Sequence, residues 1–134
     1  THLSMAQLIQ TDGALVVTTP QNVAILDANR AVDMFEQVNI PVLGVIENMT
    51  EFICPHCGNG SKIFGQGGGA RLAEKTESVL LGRVPLTMSV MESGEAGKPI
   101  ALETKSKDPS VQPVVSAYQH LTENMQSILA ELKE

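Results

Sequence analysis

Gly13-Ala14-Leu15-Val16-Val17-Thr18-Thr19-Pro20 is a short, apolar, β-branched run without clean alternation, closed by a proline. Such a run suits a strand buried on both faces of a parallel sheet. Outward from it, residues 21–38 carry helical spacing. Ile25, Ala28, Val32 and Phe35 form one stripe, while Asp27, Arg30, Asp33 and Glu36 lie mostly opposite. Asn39 and Pro41 punctuate, and residues 41–46 (Pro-Val-Leu-Gly-Val-Ile) read as a second buried strand. Strand, helix, strand is one βαβ unit.

Further along, residues 47–64 read as irregular, and Gly67-Gly68-Gly69 lead into a short helix over 70–75. Residues 79–84 make a third strand that Pro85 stops. Residues 88–109 are polar, with Gly94, Gly97, Pro99 and Pro109, and read mostly as loop. Residues 111–132 carry apolar side chains at three- and four-residue steps, with Pro113 placed for a first helical turn. Residues 3–10 look like one more amphipathic helix. The alternation gives an α/β, doubly wound class. Three parallel strands make a thin sheet with edges that need cover. The expectation is therefore a single partial domain over 1–134, the C-terminal half of a larger, mostly parallel sheet.

Composition narrows the function. The chain has 134 residues, enough for one domain, and a formal net charge of −6 without a Lys/Arg cluster in sequence. Aromatics are 3% and tryptophan is absent, so neither phosphate-backbone binding nor base stacking is expected. No apolar run approaches the ~18 residues of a membrane span. Residues 1–6 lack a basic region followed by an apolar stretch, so no signal peptide is expected. A start without Met reads as an interior cut. Two cysteines at metal-ligand spacing, with no wider set, suit a reducing compartment, and a cytoplasmic location is expected.

Those cysteines stand in Cys54-Pro55-His56-Cys57-Gly58. Three chemistries fit the pair. Cys-Pro-His-Cys can serve thiol–disulfide exchange where a helix N-terminus lowers the first thiol's pKa, although Gly58-Asn59-Gly60-Ser61 opposes a helix there. The same turn can be one knuckle of a structural zinc site, but a tetrahedral sulfur site needs four ligands and this chain offers two. Two such pairs from two chains can hold one zinc ion or one [4Fe–4S] cluster at a two-fold axis. Thiolate pairs accept either metal, so a zinc-clasped dimerisation module and a cluster carrier both stand at this point. The glycines at 65 and 67–69 match neither G-x-x-x-x-G-K-[ST] nor G-x-G-x-x-G, and read as a turn and helix start needing positive φ. Asp27 reads as a solvated charge and Asn48 as a helix or turn cap. The three histidines are scattered, and no catalytic group is evident.

Several segments together resemble one family. They are Val16-Val17-Thr18-Thr19-Pro20-Gln21, Asp33-Met34-Phe35, Pro41 through Met49, Cys54-Pro55-His56-Cys57, Ile63 through Gly68, Leu81 through Leu86 and Gly97-Lys98-Pro99-Ile100. In that order, over essentially the whole chain, they resemble the Mrp/ApbC iron–sulfur carrier ATPases, deviant P-loop proteins related to the septum-site and partition ATPases. The resemblance implies that Cys54 and Cys57 bind a labile [4Fe–4S] cluster bridging two subunits, and that the cluster passes to apo iron–sulfur proteins. It implies that Asn48 recognises an adenine base and that Pro85 supplies a backbone turn lining it. ATP and Mg²⁺ belong to the full-length family member. The family's Walker A loop, Mg²⁺ ligands and acidic switch precede the matched region, so this chain alone is expected to lack ATP hydrolysis.

Overall fold

The structure, a computed structural model, describes residues 8–133. The helix expected over 3–10 falls largely outside them. Strand β1 (Ala14–Thr18) is followed by helix α1 (Asn22–Gln37) and strand β2 (Val42–Ile53). A two-residue strand β3 (Gly60–Ser61), helix α2 (Gly68–Lys75) and strand β4 (Leu80–Leu86) come next. Helix α3 (Met88–Ala96), a 3₁₀ turn (Ile100–Leu102) and the long helix α4 (Gln112–Leu132) complete the chain.

β2 is the centre of the sheet. It pairs in parallel with β1 through residues 42–47 and with β4 through residues 45–48, then antiparallel with β3 at Phe52 and Ile53. Residues 45–47 are paired on both sides, so β1 and β4 occupy opposite edges. Phe52 faces both Ser61 and Leu86, which puts β3 on the β1 side. An open, mostly parallel α/β sheet is thus what the βαβ pattern implied.

Each face has its own core. On one, Val16 and Val45 meet Ala28 and Val32 of α1 and Leu72 and Ala73 of α2. The α1 stripe read from its spacing is the buried one, with Ile25 and Phe35 packed at its margins. On the other face, Val84 meets Ile100, Val111, Val114, Val115 and Leu121, with Ile46 packed against them. Helices over both faces are the usual condition of a parallel sheet. The C-terminal half of α4 is less covered, and Leu132 is exposed.

Four expectations need correction. First, β1 is not buried on both faces: Val16 and Thr18 are buried, but Val17 is 60% exposed. β1 is an edge strand among the described residues, and α4 stands over β4 rather than over it. Second, β2 does not end at Ile46 but runs to Ile53, because β4 and then β3 continue to pair it. Third, Pro85 does not stop β4, which runs through it to Leu86. The partner strand bulges at that point, so the missing proline N–H costs no ladder bond. Fourth, the polar stretch after Met88 contains α3. The Thr87 hydroxyl caps it by accepting from the Val90 N–H at 3.2 Å, and Gly97 ends it in the left-handed conformation (φ 68°). No residue of α3 is buried, so no apolar stripe announced it.

The glycines at 68 and 69 are required by close approach. A Cβ on Gly68 would stand 2.5 Å from the Pro20 carbonyl oxygen, and one on Gly69 would stand 2.8 Å from the Glu47 Cβ. The first turn of α2 is thereby seated against the ends of β1 and β2. Gly68→Ala should destabilise the fold by about 1–3 kcal/mol, the usual cost of overpacking against backbone. Gly94→Ala, which meets nothing within 4 Å inside α3, should stabilise it by about 0.4–1 kcal/mol. Urea midpoints of the two variants should move in opposite directions at unchanged slope; a shared direction would contradict this packing.

Candidate metal centre

The cysteine turn is built on the end of β2. Asn48 pairs with Val84 and the next pair is Phe52 with Leu86, so residues 49–51 stand opposite Pro85 alone. Proline has no N–H to give, and the longer strand bulges, with Met49 in the left-handed region at φ 55°. Beyond the bulge, β2 carries on past the parallel sheet and becomes the first arm of a hairpin with β3.

Ile53 pairs with Gly60, leaving residues 54–59 as the hairpin loop. The Cys54 N–H donates to the Asn59 carbonyl at 3.0 Å, and the Gly58 N–H donates to the Cys54 carbonyl at 2.9 Å. Gly58 takes φ 76°, which closes the turn without a Cβ penalty. Both thiols are free, Cys54 half-buried and Cys57 exposed. The backbone amide of Cys57, then that of His56, then the Cys57 thiol hydrogen-bond the Cys54 sulfur and hold its pKa below the ordinary thiol value, with desolvation opposing weakly. Inward-turned amides of this kind stabilise a thiolate, the form that ligates metal. Among the described residues, no group of three or more His, Cys, Asp or Glu side chains could hold a metal ion. The donor set is therefore two soft ligands on one turn, and it fits half of a sulfur-ligated site.

A turn and β3 follow the pair, and the next helix begins only at Gly68. The helix N-terminus that thiol–disulfide exchange relies on is absent from this position.

The remaining sequence candidates are placed apart. The Asn48 side-chain oxygen accepts from the Met49 N–H at 2.9 Å, a local bond of the capping kind, and Asn48 also lines a cavity of about 600 Å³ beside β1 and α1. Pro85 lines a different cavity, with Thr50, Lys62 and Arg83. Both flank the bulge near the carboxyl ends of parallel strands, but they do not share a cavity wall. Asp27 is exposed and 3.8 Å from Arg30.

Glu47 is the residue that sequence reasoning missed. It is 1% exposed, and its carboxylate accepts from the Gly69 N–H at 2.7 Å. A buried anion at the start of α2 is favoured by the unpaired amides and dipole there. The clue was available as a carboxylate ending an apolar strand before a run of glycines.

Comparison with known proteins gives the family of the chain. The ParA family model described as NUBPL iron-transfer P-loop NTPase matches residues 1–126. A mitochondrial iron-sulfur protein of Arabidopsis thaliana, named as required for NADH dehydrogenase, is 42% identical over 99% of this chain and 41% of its own length. An iron-sulfur cluster carrier protein of Pyrococcus furiosus is 44% identical over 98% of this chain and 42% of its own. The chain thus spans about two-fifths of these relatives. Among solved structures, a nucleotide-binding protein of Archaeoglobus fulgidus in complex with ADP superimposes with a TM-score of 0.56 at 31% identity, over 73% of this chain and 39% of that one. The MinD cell division protein of Aquifex aeolicus gives 0.65 at 18% identity over 94% and 47%, a likeness of fold alone.

The turn makes a pH prediction. With the Cys54 thiolate favoured by N–H donors, its ionisation should come at lower pH than in a free cysteine, and the N–H···S⁻ bonds should be lost only as pH falls through that shifted value. Iodoacetamide alkylation resolved by peptide mass should give Cys54 a rate midpoint below the ordinary ~8.5. A midpoint at or above it would mean that the amides do not face the sulfur.

Proposed function

The chain belongs to the NUBPL iron-transfer P-loop NTPase family of the ParA group, and on that premise we propose that it binds an iron–sulfur cluster through Cys54 and Cys57 and passes it to apo iron–sulfur proteins. The observation that carries this reading is the hairpin turn. It presents two thiols, one of them held toward its thiolate form by backbone amides, with no further ligand group near enough among the described residues to complete a site.

Two chains, each giving one hairpin, supply the four thiolates that a [4Fe–4S] cluster takes. Isologous pairing brings like turns face to face, so one self-complementary contact both forms the dimer and completes the shell. The cluster is cargo here. Exposure of Cys57 leaves it open to incoming thiols from an acceptor, whereas a buried four-cysteine site would retain it. Thiol ligands of this kind belong in a reducing compartment, and a cytoplasmic location suits them, though the plant relative is named as mitochondrial.

Residues 1–134 read best as the C-terminal part of a nucleotide-binding domain. We assign Asn48 and Pro85 to the base of an adenine nucleotide in the full-length protein. They sit where open α/β sheets bind ligands, and an amide offers a purine edge both a donor and an acceptor. The Asn48 oxygen accepts from the Met49 N–H through one lone pair, which leaves its second lone pair and the amide NH₂ for a base. No Gly-Lys-Ser/Thr loop occurs in this sequence, so phosphate and Mg²⁺ contacts, and hydrolysis, fall to other parts of the full-length protein.

A zinc-clasped dimer with no carrier role uses the same two sulfurs and is the rival reading. Anaerobic reconstitution with iron and sulfide separates the two. The expected result is a brown, oxygen-sensitive chromophore that passes to an apo iron–sulfur acceptor, with both chromophore and transfer abolished by Cys54→Ala or Cys57→Ala. Colourless protein that keeps zinc stoichiometrically and loads no acceptor would overturn the carrier assignment.

A further inference from the structure

A polar basin of about 480 Å³ lies where α2 meets the ends of β2 and β4. Lys62, Arg71 and Arg83 line it, together with Thr50, Gln66 and Glu47. A second lobe of about 320 Å³ shares Thr50, Lys62 and Arg83 and continues past Pro85. The whole chain has nine lysines and arginines and a net charge of −6, yet three of those cations converge here.

Their charge is only partly compensated by the carboxylates of Glu47 and Glu51 that line the same two lobes. Among the described residues, neither Lys62 nor Arg71 has a carboxylate partner. The Arg83 Nε is 3.8 Å from a Glu47 oxygen, and the other Glu47 oxygen is committed to the Gly69 N–H. The first lobe holds three cations against Glu47 alone, and with Glu51 of the second lobe counted the two lobes together keep a surplus of one positive charge. Arg71 donates from its guanidinium to the Gln66 carbonyl at 3.3 Å. A guanidinium fork and a neighbouring ammonium suit an oxyanion with several acceptor oxygens.

We propose that this basin binds a small organic or inorganic oxyanion carrying two or more negative charges, of the oligophosphate or polycarboxylate kind. Its volume falls in the ~300–1,000 Å³ range of small-molecule sites. A nucleic acid is disfavoured by the acidic balance of the remaining surface and by the scarcity of aromatics. Lys62 directly follows β3, so the bound anion touches the foot of the cysteine hairpin. The first lobe is separate from the cysteine sulfurs and from the cavity that Asn48 lines, while the second lobe reaches Pro85, and the proposal does not depend on the carrier reading.

The test is an NMR titration of the ¹⁵N-labelled 134-residue chain, free of cluster, with pyrophosphate and with citrate at constant ionic strength. Saturable shifts are expected at Lys62, Gln66, Gly67, Arg71 and Arg83. Lys62→Gln and Arg71→Gln should each weaken binding about tenfold, in line with loss of one charge-assisted contact. Lys105→Gln, outside the basin, should change nothing. Which probe binds more tightly assigns the phosphate or the carboxylate class. Both cations are exposed, so matching circular dichroism spectra will confirm that the variants fold. No saturable shift with either probe, or equal weakening by all three substitutions, would overturn the proposal.

Discussion

Parallel pairing of β2 on both edges is the constraint from which the remainder follows. β1 grips residues 42–47 and β4 grips residues 45–48, so the direction and register of β2 are fixed over its first half. A register slip of one residue would exchange faces. It would move Val45 out of the α1–α2 core and Ile46 out of the α4 core. It would also take the Glu47 carboxylate away from the amide of Gly69. That carboxylate joins the carboxyl end of the sheet to the glycine-rich start of α2, and it explains why the contact needs residues without side chains. The hairpin that bears the cysteines is simply β2 prolonged, so the position of the thiols is inherited from this pairing.

The proline at 85 gives the site its second element of control. It leaves β2 without a donor to pair with, and the strand answers with a bulge in which Met49 takes a conformation that side chains rarely adopt. Backbone strain of this kind persists where the surroundings over-determine it. Here it stands between the base-pocket candidates on one side and the cysteine turn on the other. The two ends of β2 are thereby joined by a defined irregularity and not by a uniform ladder.

How much of this could be read from the chain depended on which interactions were local. The Ile25/Ala28/Val32/Phe35 stripe states its burial directly and the β-branched run at 13–19 states its strand form, though not the exposure of Val17 on its edge face, and the sheet built on them has the expected class. Cys54 and Cys57 stood out as candidate ligands because their spacing is a local property, and Gly58 announced the turn. The prolongation of β2 was hidden, since residues 47–53 are polar or mixed and owe their strand form to partners far along the chain. Helix α3 was hidden for the opposite reason: it buries nothing, and only Thr87 and Gly97 mark its ends. Glu47 was passed over because a carboxylate at a strand end reads as solvated until the amide it accepts from, 22 residues later, is in place. The convergence of Lys62, Arg71 and Arg83 likewise exists only in three dimensions.

Two sulfur donors on an open turn cannot by themselves enclose a metal, and in the proposed dimer a second turn of the same kind completes the set. Native mass spectrometry of the anaerobically loaded chain tests that directly. The predicted species is two chains plus a single four-iron, four-sulfide cluster, falling apart to bare single chains when the cluster is removed by chelation. A single chain that carries its own full inorganic complement would contradict it.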